Sequence, residues 1–297
     1  MSGAARPHLL GVTLTTATAS ALCRRAAALV LATAALTAAS AATAQADSPG
    51  GWVQTGSTTI SSLTGGEGIA SQADGSLLTR GLLSIPLGLR IAGWNHVGDL
   101  DIAGGYVFDA YQGADGTTSK LFEVTTPSGQ TYDYTHQLDP GELINNSFAT
   151  VSPDSQWLVE GEWGTENRLQ VFPAPLTNHS TPATGGALPQ AGQITLSQSV
   201  DDIQGCDFVS ATRLVCASDD AAKDVFQVDL PHALDGTAVT GQVTILFQLP
   251  QSSICSGTYE TEGIDYDVNT KTLRATIVPP SVCEIATTVY SYKPTTG

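Results

Sequence analysis

The sequence lacks the short motifs that identify the commonest catalytic and nucleotide-binding sites. It contains no G-x-S-x-G, H-E-x-x-H, G-x-x-x-x-G-K-[ST] or G-x-G-x-x-G pattern. Esterase-type serine catalysis, zincin proteolysis and nucleotide binding therefore have no support. There is no C-x-x-C pair either, and the cysteine spacing does not match a zinc finger. The sequence by itself does not decide whether the protein is an enzyme.

Basic residues are scarce. The chain has 12 Lys and Arg against 28 Asp and Glu, which gives a formal net charge of −16. Such a surface repels nucleic acid and anionic membranes, so we expect neither as a partner. The acidity indicates solubility outside the cell or, alternatively, cation binding.

The N-terminal segment has no acidic residue before Asp47. It carries Arg6, Arg24 and Arg25, then a run of Ala, Leu and Val, then Ala44-Gln45-Ala46. A basic region, an apolar run and an A-x-A site predict a secretory signal peptide over residues 1–46. A membrane anchor is the alternative, but a span needs ~20 strongly apolar residues. The arginine pair leaves Sec and Tat export both open.

Cleavage after Ala46 would leave residues 47–297, enough for one large all-β domain. It would remove three of the 12 basic residues and none of the 28 acidic ones, so the net charge becomes −19. We expect a secreted, extracellular protein of bacterial type, monomeric and without a membrane span.

Four cysteines would remain, and an even number in a secreted chain predicts disulfides. The segment C-D-F-V-S-A-T-R-L-V-C is symmetric about Ala211, so a hairpin there places Cys206 opposite Cys216. That leaves Cys255 to pair with Cys283.

The rest of the chain repeats a four-strand unit. Helical periodicity is almost absent, and 30 Gly and 15 Pro separate short apolar runs rich in β-branched residues. Units begin at Gly98, Phe148, Gly205 and Gly263, a spacing of about 50 to 58 residues. Four strands per unit at this spacing predict the blades of a β-propeller.

The last unit, Gly263 to Tyr292, has only three strand-like runs. We predict that the N-terminal strand Trp52 to Ile60 completes it by pairing with Thr287 to Tyr292. The first unit, from Glu67, is short, so its blade is expected to be irregular. The prediction is an all-β propeller of about five four-stranded blades, with a β-sandwich as the alternative.

Two motifs resemble those of secreted bacterial β-propellers. S-P-D-S-Q-W-L-V, at Ser152 to Val159, is similar to a blade turn of that superfamily, and so is E-G-I-D-Y-D, at Glu262 to Asp267, with T-L-R-A after it. The resemblance covers Glu67 to Pro294. It implies blades and no particular activity.

In a propeller the innermost strands line a central channel, so polar residues at their ends should converge. The candidate ligands of this channel are Glu67, His96, Asp99, Asp101, Asn146, Asp207, Glu262 and Asp265. Carboxylate and amide oxygens suit Ca²⁺. With His96 as general base, a bound metal would instead polarise a lactone or ester carbonyl. Aspartates that only cap backbone amides are the structural alternative.

A second acidic pair lies on one strand. Glu160 and Glu162 share a face beside Trp157 and Trp163. Sugar cleavage is one interpretation. We expect instead a solvated strand with tryptophans in the core.

Three functions remain open. The first is an extracellular binding protein with a polar site on the channel face, for which calcium is the candidate ligand. The second is a metal-dependent lactone or ester hydrolase that uses the same face. The third is a structural or adhesive surface protein.

Overall fold

The protein is all-β. The computed structural model describes residues 51–295, so the expected signal peptide lies outside the described residues. The strands are β1 (Trp52–Ser61), β2 (Gly68–Ser71), β3 (Leu77–Arg80), β4 (Trp94–Val97), β5 (Asp101–Ala103), β6 (Tyr106–Gly113), β7 (Ser119–Thr125), β8 (Thr131–Gln137), β9 (Phe148–Val151), β10 (Trp157–Gly161), β11 (Thr165–Pro173), β12 (Gly186–Ala187), β13 (Gly192–Asp201), β14 (Ile203–Ser210), β15 (Arg213–Ser218), β16 (Asp224–Asp229), β17 (Val239–Gln248), β18 (Glu260–Asp267), β19 (Thr272–Val278) and β20 (Ala286–Pro294).

Helical segments are short. They are α1 (Ser62–Gly65), α2 (Leu87–Ile91) and the 3-10 turns Leu82–Ser84 and Ser281–Cys283. Across residues 51–295, no helix has the length and apolar composition needed to cross a membrane.

Four blades have the predicted antiparallel form, with four strands each except that the inner strand of blade 2 is divided into β4 and β5. Blade 2 contains β6, β7 and β8 with β4 and β5, which both pair with β6. Blade 3 contains β9, β10, β11 and β13, and blade 4 contains β14 to β17. Blade 5 contains β18, β19, β20 and β1. The units expected from the repeat therefore correspond to these blades.

Blade 5 is closed by the two ends of the described chain. Trp52 pairs with Pro294 and Ile60 with Thr287, in an antiparallel register that has one irregularity near Gly56. The predicted closure by the N-terminal strand is confirmed. The disulfide between Cys255 and Cys283 lies in the same part of the chain, between the loop before β18 and the turn before β20.

The predicted hairpin in blade 4 is confirmed as well. Strands β14 and β15 pair antiparallel with Cys206 opposite Cys216, and the two form a disulfide. Both disulfide pairings predicted from the sequence are therefore present.

Blade 1 is irregular, as its short repeat predicts. Its only strands in the described chain are β2 and β3, which pair as a hairpin, and α1 and α2 flank it. Its surface exposes large apolar side chains at Leu83, Leu87 and Ile91.

The inner strands form a closed ring. Strands β2, β5, β9, β14 and β18 pack against one another in that order, and β18 returns to β2. Hydrophobic clusters lie between neighbouring blades, for example Phe148 with Phe226 and Phe122 with Phe172. A ring of radially packed sheets is a five-bladed propeller. Two facing sheets would not close in this way, so the β-sandwich alternative is wrong.

The S-P-D-S segment makes the turn between the first two strands of blade 3. The Ser152 hydroxyl donates to Asp154, and the Trp157 N–H donates back to the Ser152 hydroxyl. Ser155 has a positive φ of 58°. Side-chain bonds of this kind are typical of tight turns, which explains why the motif marks a blade.

Candidate functional site

Asp99 lies at the centre of the ring of inner strands. Its side chain is 1% exposed and accepts hydrogen bonds from the backbone N–H groups of Ile69, Leu100 and Ile264, at 2.9, 3.0 and 2.8 Å. These residues belong to blades 1, 2 and 5. Burial raises the pKa of Asp99 well above its usual value. The carboxyl group therefore fills the axis of the propeller and links its blades.

Small residues let the inner strands reach this carboxyl group. A Cβ atom on Gly68 would lie 2.8 Å from Asp99 Oδ1, and one on Gly263 would lie 2.7 Å from the same atom. The backbone of Asp99 also bonds blade 3, through Ser147 O and the Ala149 N–H. Larger residues at these glycines would push the strands away from the axis.

Three further aspartates follow Asp99 along the inner strands and form what we call the acidic ring: Asp101, Asp207 and Asp265. Each accepts a hydrogen bond from a backbone N–H of the next blade in the circle. The donors are Val151 for Asp101 at 2.7 Å, Tyr266 for Asp207 at 2.6 Å and Ser71 for Asp265 at 2.6 Å. The structural alternative, aspartates that cap backbone amides, thus describes one role of these residues.

The acidic ring also borders a cavity. The cavity has a volume of about 560 Å³ and opens at the C-terminal ends of the inner strands. Asp101, Asp207 and Asp265 all line it, together with Tyr266 and Asp267. The Thr150 hydroxyl lies between Asp101 and Asp207, at 3.3 and 3.4 Å from their carboxylate oxygens.

The carboxyl groups of the ring raise one another's pKa. Burial, and then the charge of Asp265, raises the pKa of Asp101 to about 6. Burial, and then the charge of Asp101, raises the pKa of Asp207 well above its usual value. Burial also raises the pKa of Asp265, although Arg274 Nη1 lies 3.0 Å from its Oδ2. The ring therefore retains protons in the pH range in which isolated aspartates have lost them.

The opposite, N-terminal ends of the inner strands carry Glu67, just before β2, and Glu262, in β18. His96 lies in β4, the strand that precedes β5. His96 Nε2 lies 3.7 Å from Glu67 Oε2, and the His96 side chain is 41% exposed. Burial, and then Glu260, raises the pKa of Glu67 to about 7, while burial lowers that of His96. Burial, and then the charge of Glu67, raises the pKa of Glu262 well above its usual value.

The eight predicted site residues therefore divide into separate groups. Glu67, His96 and Glu262 lie on one side of Asp99, and Asp101, Asp207 and Asp265 lie on the other. Asn146 belongs to neither group, because its buried amide donates to the backbone oxygens of Leu121 and Tyr111 in blade 2. Within residues 51–295, no three acidic or histidine donors among these eight lie within 4.8 Å of one another.

The expectation that Glu160 and Glu162 face solvent is wrong, whereas Trp157 packs against the hydrophobic core as expected. Both carboxylates are buried, at 0% and 2% exposure, whereas Trp163 is 45% exposed. Lys120 is also buried, and its Nζ lies 2.7 Å from Glu160 and 3.7 Å from Glu162. Burial raises the pKa of Glu160 to about 7, although Lys120 opposes the shift. The pair joins blade 3 to blade 2 and does not face solvent.

Sequence reasoning missed the other members of this buried charge cluster. Glu142 lies 2.9 Å from Lys120 and 2.9 Å from His136 Nε2, and Arg168 lies 3.2 Å from Glu162. Burial opposes ionisation of Glu142, but its bond to His136 and the charge of Lys120 lower its pKa to about 2. The segment H-Q-L-D-P-G-E, residues 136–142, combines three potential metal donors with a turn sequence, and that signal was available.

Comparisons with known proteins do not identify the chain. No protein-family model matches it, and no curated protein matches it in sequence. One matching solved structure is the periplasmic gluconolactonase of Pseudomonas aeruginosa, at 15% identity and a TM-score of 0.37. The match covers 58% of this chain and 47% of that protein, about half of its length. A similarity this weak carries no functional argument, so function has to be inferred from the geometry.

Proposed function

We propose that this protein is a secreted propeller that binds a small organic cation at the acidic ring. The observation that carries the proposal is the pair Asp101 and Asp207 at the wall of the 560 Å³ cavity. Both side chains are half-buried. Within the described chain, no Lys, Arg or His forms an ion pair with either of them. A cationic ligand would supply the missing partner, and its charge would favour release of the protons that burial makes these carboxyl groups retain.

Arg274 supports an amine or guanidinium ligand. Its guanidinium lies 3.0 Å from Asp265 and 3.9 Å from Asp267, so one side of the ring already accommodates this group. Charged N–H donors bond well to carboxylates that are spread around a cavity. A bare Ca²⁺ ion needs several oxygens at 2.3–2.6 Å, and the ring carboxylates are not grouped that closely. We therefore favour an organic cation over calcium.

The test is calorimetric titration of the purified protein with agmatine, butane-1,4-diamine and CaCl₂ as probes. We expect the organic cations to bind, and Asp207→Asn or Asp101→Asn to weaken binding by about 10-fold or more, because a charged hydrogen bond contributes about 1.5–3 kcal/mol. Asp115→Asn, at an exposed turn residue, is the matched control. The proposal is wrong if no organic cation binds, or if the ring variants bind as wild type does.

The affinity should also depend on pH. Desolvation of its carboxyl group raises the pKa of Asp101 to about 6. It becomes neutral below that pH, so we expect cation affinity to fall between pH 7 and pH 5. An affinity that is unchanged over this range would contradict a role for Asp101.

A second candidate function is hydrolysis of a lactone or ester at the opposite side of the channel. It is favoured by the distance of 3.7 Å between His96 and Glu67, together with the raised pKa of Glu67, about 7, which suits proton transfer near neutral pH. We expect hydrolysis of δ-gluconolactone or p-nitrophenyl acetate to be lost in His96→Ala and retained in Asp207→Asn. Equal rates in His96→Ala and wild type would exclude this function.

A further inference from the structure

The turn after β8 groups three potential metal donors away from the channel. His136, Asp139 and Glu142 each place one donor atom within 4.8 Å of the others. Over residues 51–295 this is the one group of three His, Cys, Asp or Glu donors that meets this condition. It is independent of the acidic ring and of the function proposed above.

The local sequence builds this group. In D-P-G-E the Glu142 N–H donates to Asp139 O at 3.0 Å, and Gly141 has a φ of +85°. Pro at the second position and a positive φ at the third are typical of a type II turn. The Asp139 N–H also donates to Glu142 Oε2 at 2.7 Å. The turn therefore brings both carboxylates back toward His136 at the end of the strand.

A segment from blade 3 fixes the imidazole ring. Strand β12 pairs with β8, and the Leu188 N–H donates to Thr135 O at 2.8 Å. His136 Nδ1 lies 3.1 Å from Leu188 O. A carbonyl oxygen only accepts, so Nδ1 carries the hydrogen and Nε2 is directed at Glu142. Metal-binding histidines are commonly oriented in this way, by a backbone carbonyl on the other nitrogen.

The cluster has more carboxylates than cationic groups. Three side chains can supply positive charge: Lys120, His136 and Arg168. Five carboxyl groups surround them, Asp139, Glu142, Glu160, Glu162 and Glu166, of which Glu160, with its pKa raised to about 7, is partly protonated at neutral pH. A dication at His136 Nε2 would therefore reduce an excess of negative charge. Lys120 contacts Glu142 through Oε1, which leaves Oε2 on the side of His136.

Space for further ligands adjoins the group. A cavity of about 380 Å³ is lined by His136, Asp139 and Leu188. Zinc sites with three protein ligands complete their coordination with water or substrate, and a neighbouring cavity admits either.

We propose that His136 Nε2, Asp139 and Glu142 bind a divalent transition-metal ion of the zinc class between blades 2 and 3. The imidazole nitrogen favours zinc over Ca²⁺ and Mg²⁺, which take oxygen ligands. The ion would take the place of the hydrogen that joins His136 Nε2 to Glu142 Oε2, and that proton would be released to solvent.

The experiment is a calorimetric titration of the tag-free, chelator-treated full-length protein with ZnCl₂. We expect one Zn²⁺ per chain, and binding at least 10-fold weaker in Asp139→Asn and lost in His136→Gln. Asp115→Asn and His179→Gln are the matched controls, because both residues are exposed and lie outside the group. Both controls should bind as wild type does. Melting temperature should rise with Zn²⁺ in wild type and not in Asp139→Asn, while CaCl₂ and MgCl₂ should have no such effect.

Three results would overturn the proposal. The first is the absence of stoichiometric Zn²⁺ binding by the wild type, and the second is binding by Asp139→Asn with unchanged affinity. Asp139 is exposed, so its substitution leaves the fold intact, and this variant decides the matter even if His136→Gln fails to fold. Circular dichroism of each variant shows whether it is folded. Loss of binding in His179→Gln would place the ion elsewhere and would also overturn the proposal.

Discussion

Replacing Asp99 tests whether one carboxyl group links the blades at the axis. Asp99→Ala would remove the acceptor of three buried N–H groups, two of them from other blades. An unpaired buried N–H costs about 1–3 kcal/mol. Burying this carboxyl group carries a desolvation cost in the wild type, which is the cost that raises the pKa of Asp99. The alanine variant no longer bears that cost, so part of the loss is offset. We therefore expect a net loss of about 2–4 kcal/mol in the free energy of unfolding.

Asp99→Asn separates hydrogen bonding from simple loss of volume. The amide keeps the size of the side chain, but its nitrogen replaces one acceptor oxygen and would face the N–H of Ile69 or Ile264. We expect destabilisation similar to that of Asp99→Ala, whereas an effect of cavity formation alone would spare the Asn variant.

The assay is urea unfolding followed by tryptophan fluorescence, with melting temperature as a second measurement. A loss of 2–4 kcal/mol corresponds to a fall of about 4–16 °C in a domain of this size. Asp115→Asn should stay within about 0.5 kcal/mol of wild type. If both Asp99 variants also stay within that range, the hypothesis that the Asp99 carboxyl group links the blades at the axis is refuted.

Three further predictions concern stability. Burial raises the pKa of Asp101 to about 6 and that of Glu160 to about 7. A carboxyl group with a raised pKa contributes most to stability below its unfolded pKa, near 4. That contribution is lost as the pH rises through the folded pKa. Melting temperature should therefore be higher at pH 5.5 than at pH 8, and the opposite order would contradict the shifts. Replacing Cys255 and Cys283 by serine opens a cross-link over 28 residues and should cost about 3–4 kcal/mol in urea unfolding; a double variant as stable as the wild type would contradict this. Lys120→Met leaves buried carboxylates without their cation and should cost about 3–5 kcal/mol; a stable variant would show that the cluster is held by other contacts.

Local patterns were sufficient to predict the blades and the closure. The symmetric segment around Ala211 predicts its own hairpin, and the opposed cysteines follow from that register. The three-strand final unit predicts a partner strand, which the N-terminus supplies. These features depend on neighbouring residues or on a repeat that recurs along the chain.

The charged sites depended on contacts that the repeat does not encode. The sequence predicts one polar group in the channel, but the buried side chain of Asp99 divides that group into two. Its position at the axis depends on bonds such as that from the Ile264 N–H, 165 positions away. The burial of Glu160 required Lys120 from another blade, and strand alternation alone could not reveal that partner. The repeat predicts a channel position for Asn146, but its amide donates to the backbone oxygen of Leu121 in the neighbouring blade.

The sequence by itself thus determined the strands, their grouping into blades, the closing strand and both disulfides, because local alternation, turns and repeat length encode them. Only the tertiary structure decided which carboxylates meet at the axis, which line the cavity and which are buried with Lys120. Those outcomes depend on how the blades pack radially, and this packing joins residues that no local pattern relates.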